Sequence, residues 1–200
     1  MVSTKTSIFF IRHGEVDNPN DVWYGRLPGF GLSENGKKQS AQTADFLRSK
    51  NISNIYSSPL LRAAQTAKIL KNTLKLPEII FSDDLLEIQS SFEGTPFTQI
   101  RAMNYDVFAD TERNITGETI DDILKRMRRF IGEATIKYAG KNIVAVSHGD
   151  PITIVKALTE ELPMKNESLR PGHEYYIHPG EVYEFSVDNT TISCKSIFRP

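Results

Sequence analysis

A short apolar segment near the start of the chain, Ile8–Ile11, runs without a polar break into Arg12 and His13. Its four residues, two aromatic and two β-branched, are typical of a strand that is buried on both faces of a sheet. Side chains at the carboxyl end of such a strand lie where open α/β sheets place their ligands. Gly14 follows and allows a tight turn with a close backbone approach. The segment therefore predicts a buried strand. Taken alone, it fits equally a strand that brings a guanidinium and an imidazole to a ligand site and a strand that ends in polar surface residues.

The same arrangement recurs late in the chain, where the apolar segment Ile143–Val146 is followed closely by His148. If the two buried strands are neighbours in the sheet, His13 and His148 face one another across one pocket. The repetition of strand, histidine and glycine favours a shared site over two unrelated strand ends.

An arginine is expected at the same edge of the sheet. Ile52–Ser57 predicts a short strand, and Ser58-Pro59 predicts a helix N-cap followed by proline at the first helical position. Arg62 then falls in the first turn of this helix, away from its apolar stripe. Because the helix follows a strand directly, Arg62 belongs at the carboxyl edge with the two histidines.

Amphipathic helices alternate with the strands along the chain. The predicted helices run from the N-cap Ser33 to Arg48, from Ser58 through Leu74, from Pro96 to Met103, from Thr119 to Tyr138, and from the N-cap Asp150 through Leu158. Glu78–Phe81 predicts another short strand, and Tyr175–Val187 and Thr191–Phe198 predict closing antiparallel strands. This alternation favours an α/β fold with a parallel or mixed sheet and helices on both faces.

The composition limits the class of protein. The length of 200 residues and the hydrophobic content of 39% predict one domain, residues 1–200, with a substantial core. A formal charge of −1 gives no reason to expect a nucleic acid or an anionic membrane as partner, and the basic run Lys125–Arg129 is interpreted as a solvated helix face. Cys194 is the only cysteine, which excludes an intrachain disulfide and fits a reducing compartment. No signal-peptide or membrane-spanning pattern is present, and we expect a cytoplasmic protein.

The predicted site has the chemistry of a phosphoryl group. Arginines 12 and 62, two histidines and helix N-termini suit a dianion, and arginine matches phosphate geometry through paired donors. Histidine can attack phosphorus covalently. Glu87 follows a short strand and an apolar pair, where partial burial could keep its carboxyl protonated for a departing oxygen. The P-loop pattern is absent, which argues against nucleotide binding of that type, and Cys194 lacks the setting of a catalytic cysteine.

Five segments, in the family's order, resemble the signature motifs of the histidine phosphatase superfamily, also called the phosphoglycerate mutase-like family. They are Phe9–Glu15, Ser57–Ala67, Leu85–Gly94, Gly117–Thr119 and Val146–Gly149. The match spans about residues 7–160. The chain is thereby identified as a member of the family, and we assign it to the phosphatase branch.

The resemblance implies a three-layer α/β/α sandwich on a mixed, mostly parallel six-stranded sheet with one antiparallel strand. It implies that His13 is the nucleophile that becomes phosphohistidine, and that Arg12, Arg62 and His148 hold the phosphoryl oxygens. Glu87 would protonate the leaving group and then help water attack. The implied activity is that of a histidine acid phosphatase-type phosphoric monoester hydrolase, with no metal and no cofactor, acting on a small phosphorylated metabolite.

The positions that would contact the substrate agree less closely with the family. The expected substrate-binding residues are Arg12, Arg62, His148, Gly149, Asn18, Asn20 and Arg26. Val16 stands where the family has Ser or Thr, and Pro19 stands where it often has Asn, so either flanking asparagine could make that contact. Trp23, Tyr24 and the segment 88–117, interpreted as a substrate-covering insertion, are expected to choose the leaving group.

Three alternatives remain open. A metal hydrolase could use the histidines with Asp83, Asp84 or Glu87, although no close His pairing supports it and two arginines would oppose a cation. A cofactor-dependent phosphoglycerate mutase shares the motifs, but Ile88–Ser91 replaces the segment typical of mutases. A non-catalytic protein could use the pocket to bind a phosphorylated ligand. The exposed closing strand could also support a homodimer.

Overall fold

A mixed six-stranded sheet runs through the part of the chain that the structure, a computed structural model, describes: residues 5–107, 117–162, 164, 169–188 and 191–200. The strands are β1 (Thr6–Arg12), β2 (Ile52–Ser57), β3 (Ile80–Phe81), β4 (Asn142–Ser147), β5 (Val182–Asp188) and β6 (Thr191–Phe198). Their order across the sheet is β3-β2-β4-β1-β5-β6. Only β5 runs against the other five, because it pairs antiparallel with both β1 and β6.

The two strands that carry the histidines are neighbours, which is the condition for a shared site. β1 and β4 pair in parallel, with Ile11 opposite Val146 and Arg12 opposite Ser147. Their carboxyl ends therefore lie at the same height at the centre of the sheet. A parallel strand buried on both faces needs an uninterrupted apolar sequence, which both segments have.

Helices cover both faces of the sheet. They are α1 (Glu34–Leu47), α2 (Leu61–Leu74), α3 (Phe97–Ala102), α4 (Ile120–Lys137) and α5 (Gly149–Thr159), with short 3₁₀ turns at Arg48–Lys50 and Asp83–Leu85. Successive side chains of β1 point to opposite faces. Phe9 and Ile11 pack with α1 and α2, whereas Ile8 and Phe10 pack with α4 and α5. The result is the predicted α/β/α arrangement.

The predicted helix cap at Ser33 is confirmed, and a second side-chain cap lies at Thr119, where a helix was predicted to begin. The Ser33 hydroxyl accepts a hydrogen bond from the backbone N–H of Gly36 at 3.0 Å. Thr119 and Asp122 form a reciprocal capping box at the start of α4. Each satisfies backbone donors that would otherwise lack partners in the first turn.

Three predicted boundaries are wrong, and two of them concern the site. Helix α2 begins at Leu61 rather than at Pro59 and Leu60 occupies its N-cap, because the Ser58 hydroxyl lies 2.8 Å from Nε2 of His148. Helix α5 begins at Gly149 with His148 as N-cap, so Asp150 already lies inside the helix. Strand β5 begins at Val182 rather than at residue 175, because the preceding residues turn back over the end of β1.

The predicted insertion, 88–117, is only partly described. Residues 88–107 contain α3 and end at the buried Val107, and Gly117 bridges back to Ser90. Residues 108–116 lie outside the described part of the chain. Among the described residues, no helix combines the length and apolar character that crossing a membrane requires.

Candidate active site

The imidazoles of His13 and His148 meet at the carboxyl ends of β1 and β4. Their ring centroids are 5.1 Å apart in an edge-to-face arrangement, and both side chains are buried. After His13 the backbone lies against the start of α1, which requires glycine at position 14, because a Cβ there would lie 2.3 Å from the carbonyl oxygen of Gly36. The sheet thus presents both histidines to one space, as the two strand ends predict.

Hydrogen bonds to both ring nitrogens fix the tautomer of His13. Nδ1 lies 2.7 Å from the carbonyl oxygen of Gly14, to which it can only donate. Nε2 lies 3.1 Å from Nε of Arg62, which is always a donor, so Nε2 carries a lone pair. Burial and the charges of Arg62 and Arg12 lower the pKa of His13 well below its ordinary value of 6.5. The ring is therefore neutral at neutral pH. Its hydrogen is on Nδ1, and its lone pair is on Nε2, where it accepts the hydrogen bond from Arg62.

The first turn of α2 buries the guanidinium of Arg62 completely. Nη2 donates to the carbonyl oxygen of Gly25 at 2.7 Å, and the guanidinium carbon lies 4.7 Å from the ring centroid of Tyr24. A cation over an aromatic face is held in direction as well as position. Arg62 therefore stands beside His13 in a fixed orientation.

The guanidinium of Arg12 is held from the opposite side. Nη1 donates to the carbonyl oxygen of Ile177 at 2.8 Å, and the group lies 5.2 Å from the ring centroid of Tyr176. Its buried Nε has no hydrogen-bond partner among the described residues. Burial lowers the pKa of Arg12, but the nearby phenols and the carboxyl groups of Glu87 and Asp150 more than offset this and raise it. Arg12 is a permanent cation with donor capacity to spare.

One polar side chain among the described residues, that of Ser58, is hydrogen-bonded to the imidazole of His148. Its Nε2 lies 2.8 Å from the hydroxyl of Ser58, which also accepts from the backbone N–H of Leu60 at 3.3 Å. The buried Nδ1 has no partner in the described part of the chain. Burial and the charge of Arg62 lower the pKa of His148 well below 6.5. His148 thus offers one unused ring nitrogen.

The carboxyl of Glu87 is buried close to the arginines. Its Oε1 accepts from the backbone N–H of Ile88 at 3.0 Å. Burial raises its pKa above the ordinary 4.5, although the charge of Arg62 opposes this shift. A carboxyl with a raised pKa can serve as both proton donor and proton acceptor near neutrality.

An ion-pair network behind Glu87 fixes its backbone. Arg26 donates to the carbonyl oxygen of Glu87 at 2.7 Å and to Glu118 at 2.8 Å. Arg126 also binds Glu118, at 2.9 and 3.1 Å, and donates to the carbonyl oxygens of Asp84 at 2.8 Å and Glu87 at 3.5 Å. Arg126 is buried, so the interpretation of the run Lys125–Arg129 as a solvated face is wrong for this residue.

The remaining expected substrate-binding residues lie at different places. Arg26 contacts the backbone of Glu87 and the side chain of Glu118 through the hydrogen bonds just described. The side-chain amide of Asn18 bonds the backbone of Val22 in its own loop, and Asn20 is exposed; neither lines the pocket. Gly149 packs under the hydroxyl of Tyr176, where a Cβ would lie 2.1 Å from that oxygen. Contact of these four residues with a substrate stays a prediction.

A pocket opens beside these groups, with a volume of about 330 Å³ when the open solvent at its mouth is included. Its lining residues are Arg12, Gly25, Glu87 and five side chains that carry rings: Trp23, Tyr24, Phe97, Pro171 and Tyr176. The expectation that Trp23 and Tyr24 line a pocket is confirmed.

Sequence reasoning missed Ser58, Tyr176 and Asp150 as members of the site. The hydroxyl of Tyr176 donates to Asp150 at 3.0 Å, and burial raises the pKa of Asp150 well above 3.8. A serine at a strand end and an acid two residues after a site histidine are the signals for Ser58 and Asp150, but both also fit the pattern of a helix cap.

The fold and the site together define the phosphoglycerate mutase-like class of α/β proteins. The family model of the histidine phosphatase superfamily (branch 1) matches residues 8–198, and the chain belongs to this superfamily. Among its relatives, the uncharacterized protein Rv0525 of Mycobacterium tuberculosis is 36% identical over 153 residues, which are 74% of this chain and 75% of that protein. The metal-independent phosphoserine phosphatase of Arabidopsis thaliana is 29% identical over 161 residues, 74% of this chain and 66% of that protein. The solved structure of YhfR from Bacillus stearothermophilus has the same fold, with a TM-score of 0.80, 23% identity and 96% of both chains covered.

Proposed function

We propose that the chain is a metal-independent phosphomonoesterase that acts through a phosphohistidine at His13 on a small phosphorylated metabolite. The observation that carries the proposal is the tautomer of His13. Gly14 holds the hydrogen on Nδ1, and Nε2 directs its lone pair at the guanidinium of Arg62. A neutral imidazole with a fixed lone pair beside a permanent cation suits attack on a phosphoryl group. The superfamily and the phosphatase among its relatives support the same reaction class.

In the first half-reaction, Nε2 of His13 forms a bond to phosphorus as the ester P–O bond breaks. The leaving oxygen takes the proton of Glu87, so an alcohol departs and Glu87 becomes a carboxylate. Arg62 and Arg12 stabilise the equatorial oxygens, on which the negative charge is spread. The spare Nε–H of Arg12 and the unused ring nitrogen of His148 are the atoms available for these oxygens.

In the second half-reaction, a water attacks phosphorus and the P–N bond to Nε2 breaks. The Glu87 carboxylate takes a proton from this water, which restores the acid and releases inorganic phosphate. One carboxyl with a raised pKa serves both directions. Every charge in the cycle is matched by groups of the chain itself, which is why we propose no metal.

The test is phosphate release from p-nitrophenyl phosphate in EDTA, with wild type and His13→Ala compared. We expect turnover that survives EDTA and disappears in the variant. Brief reaction followed by denaturation should also trap a phosphoenzyme that is stable in alkali and labile in acid, as a phosphoramidate is. Activity in His13→Ala, or loss of activity in EDTA that added metal restores, would overturn the proposal.

The open alternatives give different results in the same assays. A mutase would isomerise phosphoglycerate, with bisphosphoglycerate present, much faster than it releases phosphate from any monoester. A phospho-ligand binding protein would bind phosphate or vanadate without turning over any ester.

A further inference from the structure

The walls of the pocket that would receive the leaving group consist mainly of rings. We call Trp23, Tyr24, Phe97, Pro171 and Tyr176 the ring wall. Of the described residues that line the pocket, only Arg12 and Glu87 carry charged or acidic groups, and the proposed chemistry uses both. Among the described lining residues, a leaving group would therefore contact ring faces and meet no further charged side chain.

Backbone hydrogen bonds fix the ring wall before any ligand arrives. The N–H of Trp23 donates to the carbonyl of Thr95, and the N–H of Gly94 donates to the carbonyl of Trp23, both at 2.8 Å. The rings of Trp23 and Phe97 then pack edge to face with centroids 5.8 Å apart, and Trp23 is 6% exposed. A preformed aromatic wall loses little side-chain entropy when it binds a flat group.

The ring wall is physically continuous with the residues that would hold the phosphoryl group. The guanidinium of Arg62 lies over the ring of Tyr24, and that of Arg12 lies over the ring of Tyr176. A phosphoryl group bound to these arginines would therefore place its ester oxygen next to two aromatic rings. The first atoms of the leaving group fall among those rings.

One buried polar atom in the ring wall has no hydrogen-bond partner among the described residues. This atom is Nε1 of Trp23. An unsatisfied buried N–H costs free energy that an acceptor on a bound molecule would recover. Three described arginines lie near the ring wall without lining the pocket. Arg26 pairs with Glu118 and Arg101 pairs with Asp21, and Arg170, next to Pro171, donates to the side-chain oxygen of Asn104.

We propose that the site selects phosphomonoesters whose leaving alcohol carries an uncharged planar ring close to the ester oxygen. The inference rests on the proposed function, since it assigns a substrate class to the same pocket. Flat rings gain stacking and edge-to-face contacts from the ring wall. A leaving group with a carboxylate would instead lose its hydration against ring faces and lie near Glu87, and the described lining residues offer it no cation besides Arg12, which the phosphoryl group would occupy.

The experiment compares kcat/KM for three esters: benzyl phosphate, cyclohexylmethyl phosphate and O-phosphoserine. The first two are alkyl esters whose leaving groups have similar size and acidity but differ in planarity. The leaving group of the third is charged. We expect benzyl phosphate to exceed cyclohexylmethyl phosphate by about tenfold, the scale of a good aromatic contact, and O-phosphoserine by about 100-fold, the scale of an uncompensated desolvated charge. Equal kcat/KM values for the two esters with uncharged leaving groups, or a higher value for O-phosphoserine, would overturn the inference.

Variants then test the ring wall directly. Trp23→Leu and Phe97→Leu should bring the ratio of benzyl to cyclohexylmethyl phosphate close to one, whereas Phe81→Leu, at an aromatic that is 55% exposed on β3 and outside the pocket, should leave the ratio unchanged. A ratio within one variant does not depend on the fraction of folded enzyme. Ratios that stay unchanged in both pocket variants contradict the inference. Failure to hydrolyse any ester would instead contradict the proposed function.

Discussion

The Nε–H of Arg62 donates to Nε2 of His13 over 3.1 Å, so the proposed nucleophile and its neighbouring cation are already hydrogen-bonded without a substrate. The contact holds the lone pair of Nε2 toward the guanidinium of Arg62. When a phosphoryl group arrives, phosphorus takes that lone pair and the Arg62 N–H can pass to a phosphoryl oxygen. A single guanidinium thus organises the nucleophile first and the transferred group second, without a change of side-chain position.

Arg62→Ala should lower kcat/KM for p-nitrophenyl phosphate by about 10²–10³-fold, the range seen when one preorganised donor to a transition-state charge is removed. Arg62 also lowers the pKa of His13. Its removal should therefore raise that pKa and move the acidic limb of the pH profile to higher pH. Arg62→Lys keeps the charge but loses the forked geometry. We expect it to restore the position of the limb better than the rate.

A variant whose rate falls while the acidic limb stays in place would contradict this role of Arg62. Arg48→Ala is the matched control, because Arg48 is an exposed arginine paired with Asp45 far from the pocket. Both the rate and the pH profile should be unchanged in that variant.

Glu87 sets the alkaline side of the same profile. Leaving-group protonation needs the acid form, so activity on an alkyl ester should fall as pH rises through the raised pKa of Glu87. On the other side, activity should fall as pH drops through the lowered pKa of His13, which must be neutral to attack. The expected result is a bell-shaped curve for kcat/KM, with benzyl phosphate as the ester, measured by phosphate release.

Glu87→Gln separates the two half-reactions. Loss of the proton donor should slow benzyl phosphate by about 10²–10⁴-fold, the usual contribution of a general acid. p-Nitrophenolate leaves without protonation, so this ester should still give a burst of one product per enzyme before slow hydrolysis of the phosphoenzyme. Equal losses on both esters, with no burst, would mean that Glu87 only supports the structure.

The sequence predicts the two central strands of the sheet. It does not predict the contacts of the residues that support the proposed catalytic groups from behind. Ile8–Ile11 and Ile143–Val146 are apolar enough that only strands buried on both faces accommodate them, and this fixes where His13 and His148 emerge. The interactions of Arg126 were not predictable, because one buried arginine in a basic helical run is set by which acid lies opposite. That acid, Glu118, is eight residues away in sequence and on the preceding loop.

Ser58 shows a second reason why the sequence alone does not predict every residue of the site. Serine before proline after a strand favours an N-cap by local rules, yet its hydroxyl bonds His148, which is 90 residues away. Long-range hydrogen bonds of this type depend on strand order, which the local pattern does not contain. Departures from local rules are common at functional sites.

Ser58 should act by setting the tautomer of His148. Its oxygen accepts from Leu60, and donation of its own hydrogen to Nε2 leaves the ring hydrogen on Nδ1, the unused atom. Ser58→Ala should lower kcat/KM by about tenfold, because a free ring spends part of its time in the other tautomer and a buried hydrogen bond is lost. Ser58→Thr should recover part of the rate.

Ser57→Ala is the matched control for this prediction. Ser57 is equally buried one residue earlier, and among the described residues its hydroxyl donates to the carbonyl oxygen of Ser58 and to no other group. Similar losses in the two alanine variants would show that the effect comes from packing at the strand end. Kinetics on p-nitrophenyl phosphate and thermal unfolding separate the two cases.

Glu118 should matter for both stability and chemistry. Its carboxylate pairs with Arg26 and the buried Arg126, which together hold the carbonyl of Glu87. Glu118→Gln leaves two cations unpaired, one of them buried, and should lower the free energy of unfolding by about 3 kcal/mol. Because Glu87 is then held less firmly, hydrolysis of benzyl phosphate should also slow more than hydrolysis of p-nitrophenyl phosphate. Denaturant unfolding and the ratio of the two rates test this, and an unchanged ratio would limit Glu118 to a stabilising role.

The buried Asp150 should make the protein less stable as pH rises. Burial raises its pKa well above the ordinary 3.8 of the unfolded chain. Below the unfolded value the carboxyl is protonated in both states and its contribution to stability is fully present. As pH rises, the unfolded state loses the proton first, and stability falls by at most about 1.4 kcal/mol per pH unit until the folded pKa is passed.

Asp150→Asn should remove this dependence, because the amide oxygen can still accept from Tyr176 and carries no charge at any pH. The variant should therefore gain on wild type in the free energy of unfolding between pH 5 and pH 8. Tyr176→Phe should do the opposite, since the hydrogen bond from Tyr176 lowers the pKa of Asp150 and its loss raises that pKa further. Urea unfolding of the three proteins at both pH values measures the differences. Parallel pH dependences in all three would show that Asp150 is charged in the folded protein and that the cations near it stabilise its carboxylate.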